Sequence, residues 1–225
     1  MKRGDFIWGA IMLCVVAALV NPASREAIMA ATKACPYTMG FIKFAILASS
    51  GELFAIRLLG GDWSIPIGMQ YRVVAWGLLG VTMVAAISVY ALGVPLAIAN
   101  HIFYSGGSTS PIIRAFWTSV AMNSTYGPAI MASHRLSDTY LDLAHGKLRN
   151  LPSVKFDTVL ATINWHSLVM VVILRLLTFF WIPAHTITFL LPPEYRVLCA
   201  AVLCFVLGVF LAFFKRYKSE KPAVA

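Results

Sequence analysis

The feature that most constrains this chain is a succession of six long apolar runs, at 6–20, 37–59, 73–102, 112–132, 159–181 and 197–214. A helix that crosses a bilayer needs about 20 mostly apolar residues. The runs therefore predict an all-α protein, a polytopic transmembrane helical bundle of about 4–6 spans. The first run is short for a full span. The third is long and holds Gly93 and Pro95, which predicts a span followed by a bent or re-entrant piece. Composition agrees: 12% of residues are charged, where a soluble domain has about a quarter. The runs form one integral membrane domain, 1–214, with a basic polar tail, 215–225. The start, MKRGDFIWGAIMLCVVAALVNPAS, has the charge and apolar core of a signal peptide. The rest is also membrane-like, so a retained first helix is expected.

The net charge of +9 is not gathered into a nucleic-acid-binding face, and no nucleic-acid partner is expected. The positives stand at the ends of apolar runs. With six spans, Lys2, Arg3, Arg57, Arg72, Arg135, Lys147, Arg149, Lys155, Lys215, Arg216, Lys218 and Lys221 share one side, twelve of the 18 Lys and Arg residues. The uncharged loop at 104–111, YSGGSTSP, falls on the other side. That is the pattern of the positive-inside rule. Four cysteines, Cys14, Cys35, Cys199 and Cys204, form no CxxC pair and read as small hydrophobes. No Walker loop, HExxH, GxSxG or GxGxxG motif is present, so neither an enzyme nor a cofactor is expected.

The polar groups inside these runs are the candidate functional residues. A carboxylate at mid-depth costs about 2.5–3.5 kcal/mol or more, and Glu52 lies well inside its run. On a helix it shares a face with Ala45, Ala48, Ser49, Ala55 and Ile56, a mostly small stripe that lets another helix approach, so Glu52 should point into the bundle. Thr118–Pro128, TSVAMNSTYGP, is the second cluster. Pro128 removes a backbone donor, so Gly127–Pro128 is read as a helix kink, with Asn123, Ser124 and Tyr126 supplying polar atoms to a cavity or an interhelical network. Arg114 and Arg175 are read as snorkelling to the interface from the outer ends of their helices. His134, Asp138, Asp142 and His145 share one helical face and are metal-ligand types, but the outer two stand about 16 Å apart along the axis. A solvated amphipathic surface is favoured there, and no metal site is expected.

The stretch 181–198, WIPAHTITFLLPPEYRVL, is polar for its place in the chain. Pro183, Pro192 and Pro193 should stop helix there and hold the segment at the interface, anchored by Trp181 and Tyr195, with Arg196 at the headgroups. His185 and Thr188 are the groups it would turn inward. The stretch resembles the C-terminal signature of the Mpv-seventeen and 22-kDa peroxisomal membrane protein family, W-P-x-x-Q-x-x-N-F-x-x-V-P-x-x-Y-R. Trp181, Phe189 and Pro193 match in register. Tyr195 and Arg196 match after a one-residue deletion, and His185 and Thr188 stand at the Gln and Asn positions. Pro36 with Gly51 and Glu52, and Gly127–Pro128 followed by Asp138, resemble two further blocks of the family in the right order. Residues 1–21 and 69–102 are additions to the family's usual four spans.

The resemblance implies an integral membrane protein of the mitochondrial inner or bacterial cytoplasmic membrane, less so the peroxisomal one. It also implies a weakly selective channel or pore for small solutes and ions. Glu52, Asn123, Ser124, Tyr126 and His185 are the pore or cavity candidates. The alternative is a non-catalytic accessory subunit of a larger membrane complex. The partners foreseen are the lipid bilayer and either further copies of the chain or such a complex.

Overall fold

The computed structural model describes residues 2–104, 106 and 110–220. Parts of the expected loop at 104–111 and of the tail at 215–225 lie outside them. Among the described residues the structure is helical without strands: α1 (Arg3–Val20), α2 (Pro22–Ala34), α3 (Pro36–Gly60), α4 (Met69–Ala99), α5 (Pro111–Leu143), a 3-10 turn (Leu148–Ser153), α6 (Phe156–Thr162), α7 (Trp165–Leu190) and α8 (Pro193–Glu220). Four of these helices open on a proline, Pro22, Pro36, Pro111 and Pro193. The missing N–H costs nothing in the first turn, and the residue before each proline is pushed out of helical geometry. The Asn21 side chain completes one such boundary by accepting from the Ala23 and Ser24 amides at 3.0 and 3.4 Å.

Five helices are long and apolar enough to cross a membrane: α1, α3, α4, α7 and the Pro193–Phe210 part of α8. The protein is an integral membrane protein. α5 is 33 residues long but too polar to be counted with them, because it turns Thr118, Ser119 and Asn123 into the bundle, all three buried.

Side-chain contacts fix the directions. Arg72 at the start of α4 reaches Asp142 at the end of α5, and Tyr90 further along α4 meets Thr125, so α4 and α5 are antiparallel. Ser119 bonds to Ile182 of α7 and Gly127 meets Leu177, so α5 and α7 are antiparallel too. Gly40 meets Gly80 and Glu52 bonds to Trp76, so α3 and α4 are antiparallel; Thr188 meets Cys199 and Trp181 clusters with Leu207, so α7 and α8 are antiparallel. The long helices thus alternate between two ends of the bundle. Lys2, Arg57, Arg72, Lys147, Arg149 and Lys155 all belong to one end.

The core lies among α3, α4, α5, α7 and α8, with Phe44, Met122, Ala200 and Ala201 almost fully buried. Glycines let the helices close: a Cβ at Gly51 would stand 2.8 Å from the Phe205 Cα, and one at Gly127 would stand 3.0 Å from Leu177. α1 buries no residue. It lies against the outside of the bundle, where Trp8 stacks on Phe54 at 4.2 Å and Asp5 pairs with Arg57 at 2.8 Å and accepts from Trp63 Nε1 at 2.7 Å.

Several expectations need correction. The stretch 73–102 holds no re-entrant piece, since α4 runs through Pro95 as one helix to Ala99. The run at 159–181 is divided: α6 ends at Thr162, the chain turns, and α7 begins at Trp165. Pro183 does not stop helix. α7 continues to Leu190, and its middle, Leu168–Trp181, is π-helical. Trp181 is therefore buried in the bundle (4% exposed) and is not an interfacial anchor. Arg175 lies in the exposed middle of α7, not near its end.

Candidate functional site

The interior of α4, α5, α7 and α8 carries an ordered series of polar groups. At the end where α5 begins, a cavity of about 270 Å³ is lined by Arg114, Thr118, Phe189, Arg196, Pro95 and Pro111 among others. Arg196 explains much of the 181–198 signature. The break at Pro192–Pro193 leaves the last carbonyls of α7 without amide partners. The Arg196 guanidinium donates to two of them, Leu191 at 3.0 Å and Phe189 at 3.2 Å, while lying 5.7 Å from the Phe189 ring centroid. Trp181, His185 and Phe189 recur every four residues along α7, and all three are buried.

Next to Thr118, Ser119 donates to the Ile182 carbonyl at 2.7 Å, bonding α5 to α7. The Asn123 carboxamide donates to the Ser119 carbonyl at 2.8 Å and lies 3.2 Å from His185 Nδ1. Below this pair is a second cavity, of about 30 Å³, bounded by Asn123, Tyr126, Trp181, His185, Trp76 and His134 together with apolar side chains.

Beneath it, toward the other end of these helices, lies a charged network. Arg72 is 6% exposed. Its Nη1 is 2.8 Å from Asp138 and 3.6 Å from Glu52, and its Nη2 is 2.5 Å from Asp142. Glu52 also accepts from Trp76 Nε1 at 2.9 Å. His134 is 3.3 Å from Asp138, and its ring meets that of Trp76 edge-on at 4.1 Å. Two glycines make this convergence sterically feasible. Gly68 before α4 and Gly146 after α5 adopt φ of 72° and 66°, and a Cβ on Gly68 would stand 2.9 Å from the Gly146 Cα. Any other residue would push apart the two loops that bring Arg72 to Asp142.

The sequence-derived candidates separate clearly. Asn123, Tyr126 and His185 line the smaller cavity. Glu52 is part of the network beneath it and does not line it; Trp76 and His134 stand between. Ser124 is exposed on the outer face of α5, because consecutive helical residues are about 100° apart and Asn123 already takes the inward position. Thr188 is fully buried and bonds to the Ala184 carbonyl at 3.0 Å. Gly127 serves helix contact, and α5 remains one helix through Pro128. Pro36 and Pro193 begin helices.

The solvated reading is corrected for Asp138 and His134, which are mostly buried, and holds for Asp142 and His145, which are exposed; both aspartates pair with Arg72. No group of three or more metal-ligating side chains is found among the described residues. The residue that sequence reasoning missed is Arg72, which at the margin of an apolar run has the appearance of a flanking cation. Comparison with known proteins adds no identity: no family model, no curated protein and no solved structure matches this chain.

Proposed function

We propose that this integral membrane protein is a weakly selective path for small solutes or ions, in a closed conformation, and that it is a divergent member of the family its signature resembles. The observation that carries the reading is the axial order of the polar groups that these helices turn toward one another. A vestibule with two arginines, the Ser119–Asn123–His185 group, a small cavity and the acidic network around Arg72 succeed one another inside the same helices. Helix packing alone needs no such succession, since small residues and isolated hydrogen bonds serve it. The middle cavity has room for about one water, which makes the path shut here, and the ion pairs of Arg72 lock its far end.

Flux through proteoliposomes tests this. Wild-type protein should pass small solutes above the rate of protein-free vesicles, and Glu52→Gln should change the rate or the cation-to-anion preference. Wild-type vesicles as tight as empty ones, at verified incorporation, would overturn it.

A second reading, an accessory subunit of a larger membrane complex, is favoured by Arg175. Its exposed side chain lies ten residues from Trp165 and fifteen from Leu190, where a guanidinium facing lipid costs about 2.5–3.5 kcal/mol. An acidic partner helix would relieve that cost. Tight vesicles, together with a copurifying protein lost on Arg175→Leu, would support this reading over the first.

A further inference from the structure

Two adjacent side chains in the smaller cavity hold polar atoms with no hydrogen-bond partner, Trp181 Nε1 and His185 Nε2. Both side chains are more than nine-tenths buried, at 4% and 3% exposure. Their rings stack with centroids 5.1 Å apart and planes at 28°, and both line the same cavity of about 30 Å³. A buried polar group left unpaired is costly, and here two share one space.

The hydrogen bonds around them set the sense of each atom. The Asn123 amide nitrogen is 2.8 Å from the Ser119 carbonyl, so it is the donor end, and Ser119 Oγ is committed to the Ile182 carbonyl. His185 Nδ1 stands 3.2 Å from both the nitrogen and the oxygen of that carboxamide; the nitrogen's two hydrogens go to the Ser119 carbonyl and, at 3.2 Å, to Ser119 Oγ, so the oxygen is the atom left for Nδ1–H to donate to. With the proton on Nδ1, Nε2 carries a lone pair and is an acceptor. The indole N–H is a donor only. The two side chains that line the cavity therefore carry one unpaired donor and one unpaired acceptor between them. Of its other polar walls, the Tyr126 hydroxyl is bonded to Thr82 at 2.7 Å and His134 belongs to the Asp138 pair. A water needs about 10–15 Å³ of such space and two to four polar partners.

We infer that this cavity is a binding site for one water molecule, which accepts from Trp181 Nε1–H and donates to His185 Nε2. The site stands whether or not the protein conducts. If it does conduct, the water occupies the level between the arginine vestibule and the Arg72 network.

The test is solid-state NMR on the full chain in lipid bilayers, with ¹⁵N-labelled histidine and tryptophan. Residue assignments come from Trp181→Phe and His185→Gln spectra. The wild type should show transfer from water to the Trp181 indole proton, and a His185 ring protonated at Nδ1 with a bare Nε2. In Trp181→Phe the water contact at His185 should weaken or vanish while the Nδ1–H tautomer persists. A Trp181 indole that receives nothing from water while exposed Trp165 does would overturn the proposal. So would a His185 protonated at Nε2. Sequential backbone-to-side-chain correlations in the wild type give the same assignments, so a variant that fails to fold does not blunt the test.

Discussion

At the scale of single residues, the account turns on Arg72. One guanidinium with 8% of its side chain exposed faces the carboxylates of Glu52, Asp138 and Asp142. Breaking a buried pair by removing one partner costs about 3–5 kcal/mol, because the remaining charge stays buried. Arg72→Met should therefore lower thermal stability in detergent by an amount of that order. Asp142→Asn should cost less than about 1 kcal/mol, since that side chain is 64% exposed and an exposed pair contributes little. Equal losses for the two variants would show that Arg72 is not the hub. Glu52 was legible in the sequence because a carboxylate inside an apolar run always needs an explanation. Its partner was not. Arg72 lies 20 residues further on, at a helix start, where cations are ordinary, and only the fold brings it near. Asp138 was misread for a related reason: a face rich in His, Asp and Arg has the pattern of a solvated surface, and its burial comes from α4 covering it.

The helices themselves were largely legible. Starts at Pro22, Pro36, Pro111 and Pro193 follow from proline chemistry, and the Gly61 cap with φ of 69° closes α3 where its apolar run ends. Pro183 misled because it was taken to act as it would in an ordinary α-helix. It stands just after the π-helical stretch of α7, where the change from wider to normal hydrogen bonding leaves a carbonyl short of a partner, so a missing N–H does little harm. Glycines show the same dependence on context. Gly51→Ala would place its methyl 2.8 Å from the Phe205 backbone, so α3 and α8 must shift apart, at a cost of about 1–3 kcal/mol. Gly93→Ala in α4 meets nothing within 4 Å and should be neutral or stabilising by about 0.5–1 kcal/mol. Thermal unfolding of the two variants side by side checks this. Equal effects would mean that α3 and α8 are not in close contact.

For the whole molecule, the alternation of the later helices was legible in the distribution of Lys and Arg, and the directions of the first three apolar runs were not. Neither the depth nor the order of the polar groups was, because which of Asn123, Ser124, Thr125 and Tyr126 faces inward depends on the rotation of α5, and that is set by Gly127 against Leu177 and Ser119 against Ile182. The central claim is that a polar path follows the interior of α4, α5, α7 and α8 and opens at the Arg114–Arg196 vestibule. The most direct measurement is the rate at which a membrane-impermeant thiol reagent labels single cysteines in a protein whose native cysteines have been replaced. Thr118→Cys, Asn123→Cys and Ser124→Cys are compared in proteoliposomes. The account predicts rapid labelling at Thr118, slower labelling at Asn123 and the slowest at Ser124, which faces outward. Labelling at Ser124 as fast as at Thr118, or an inert Thr118 position in folded protein, would contradict it.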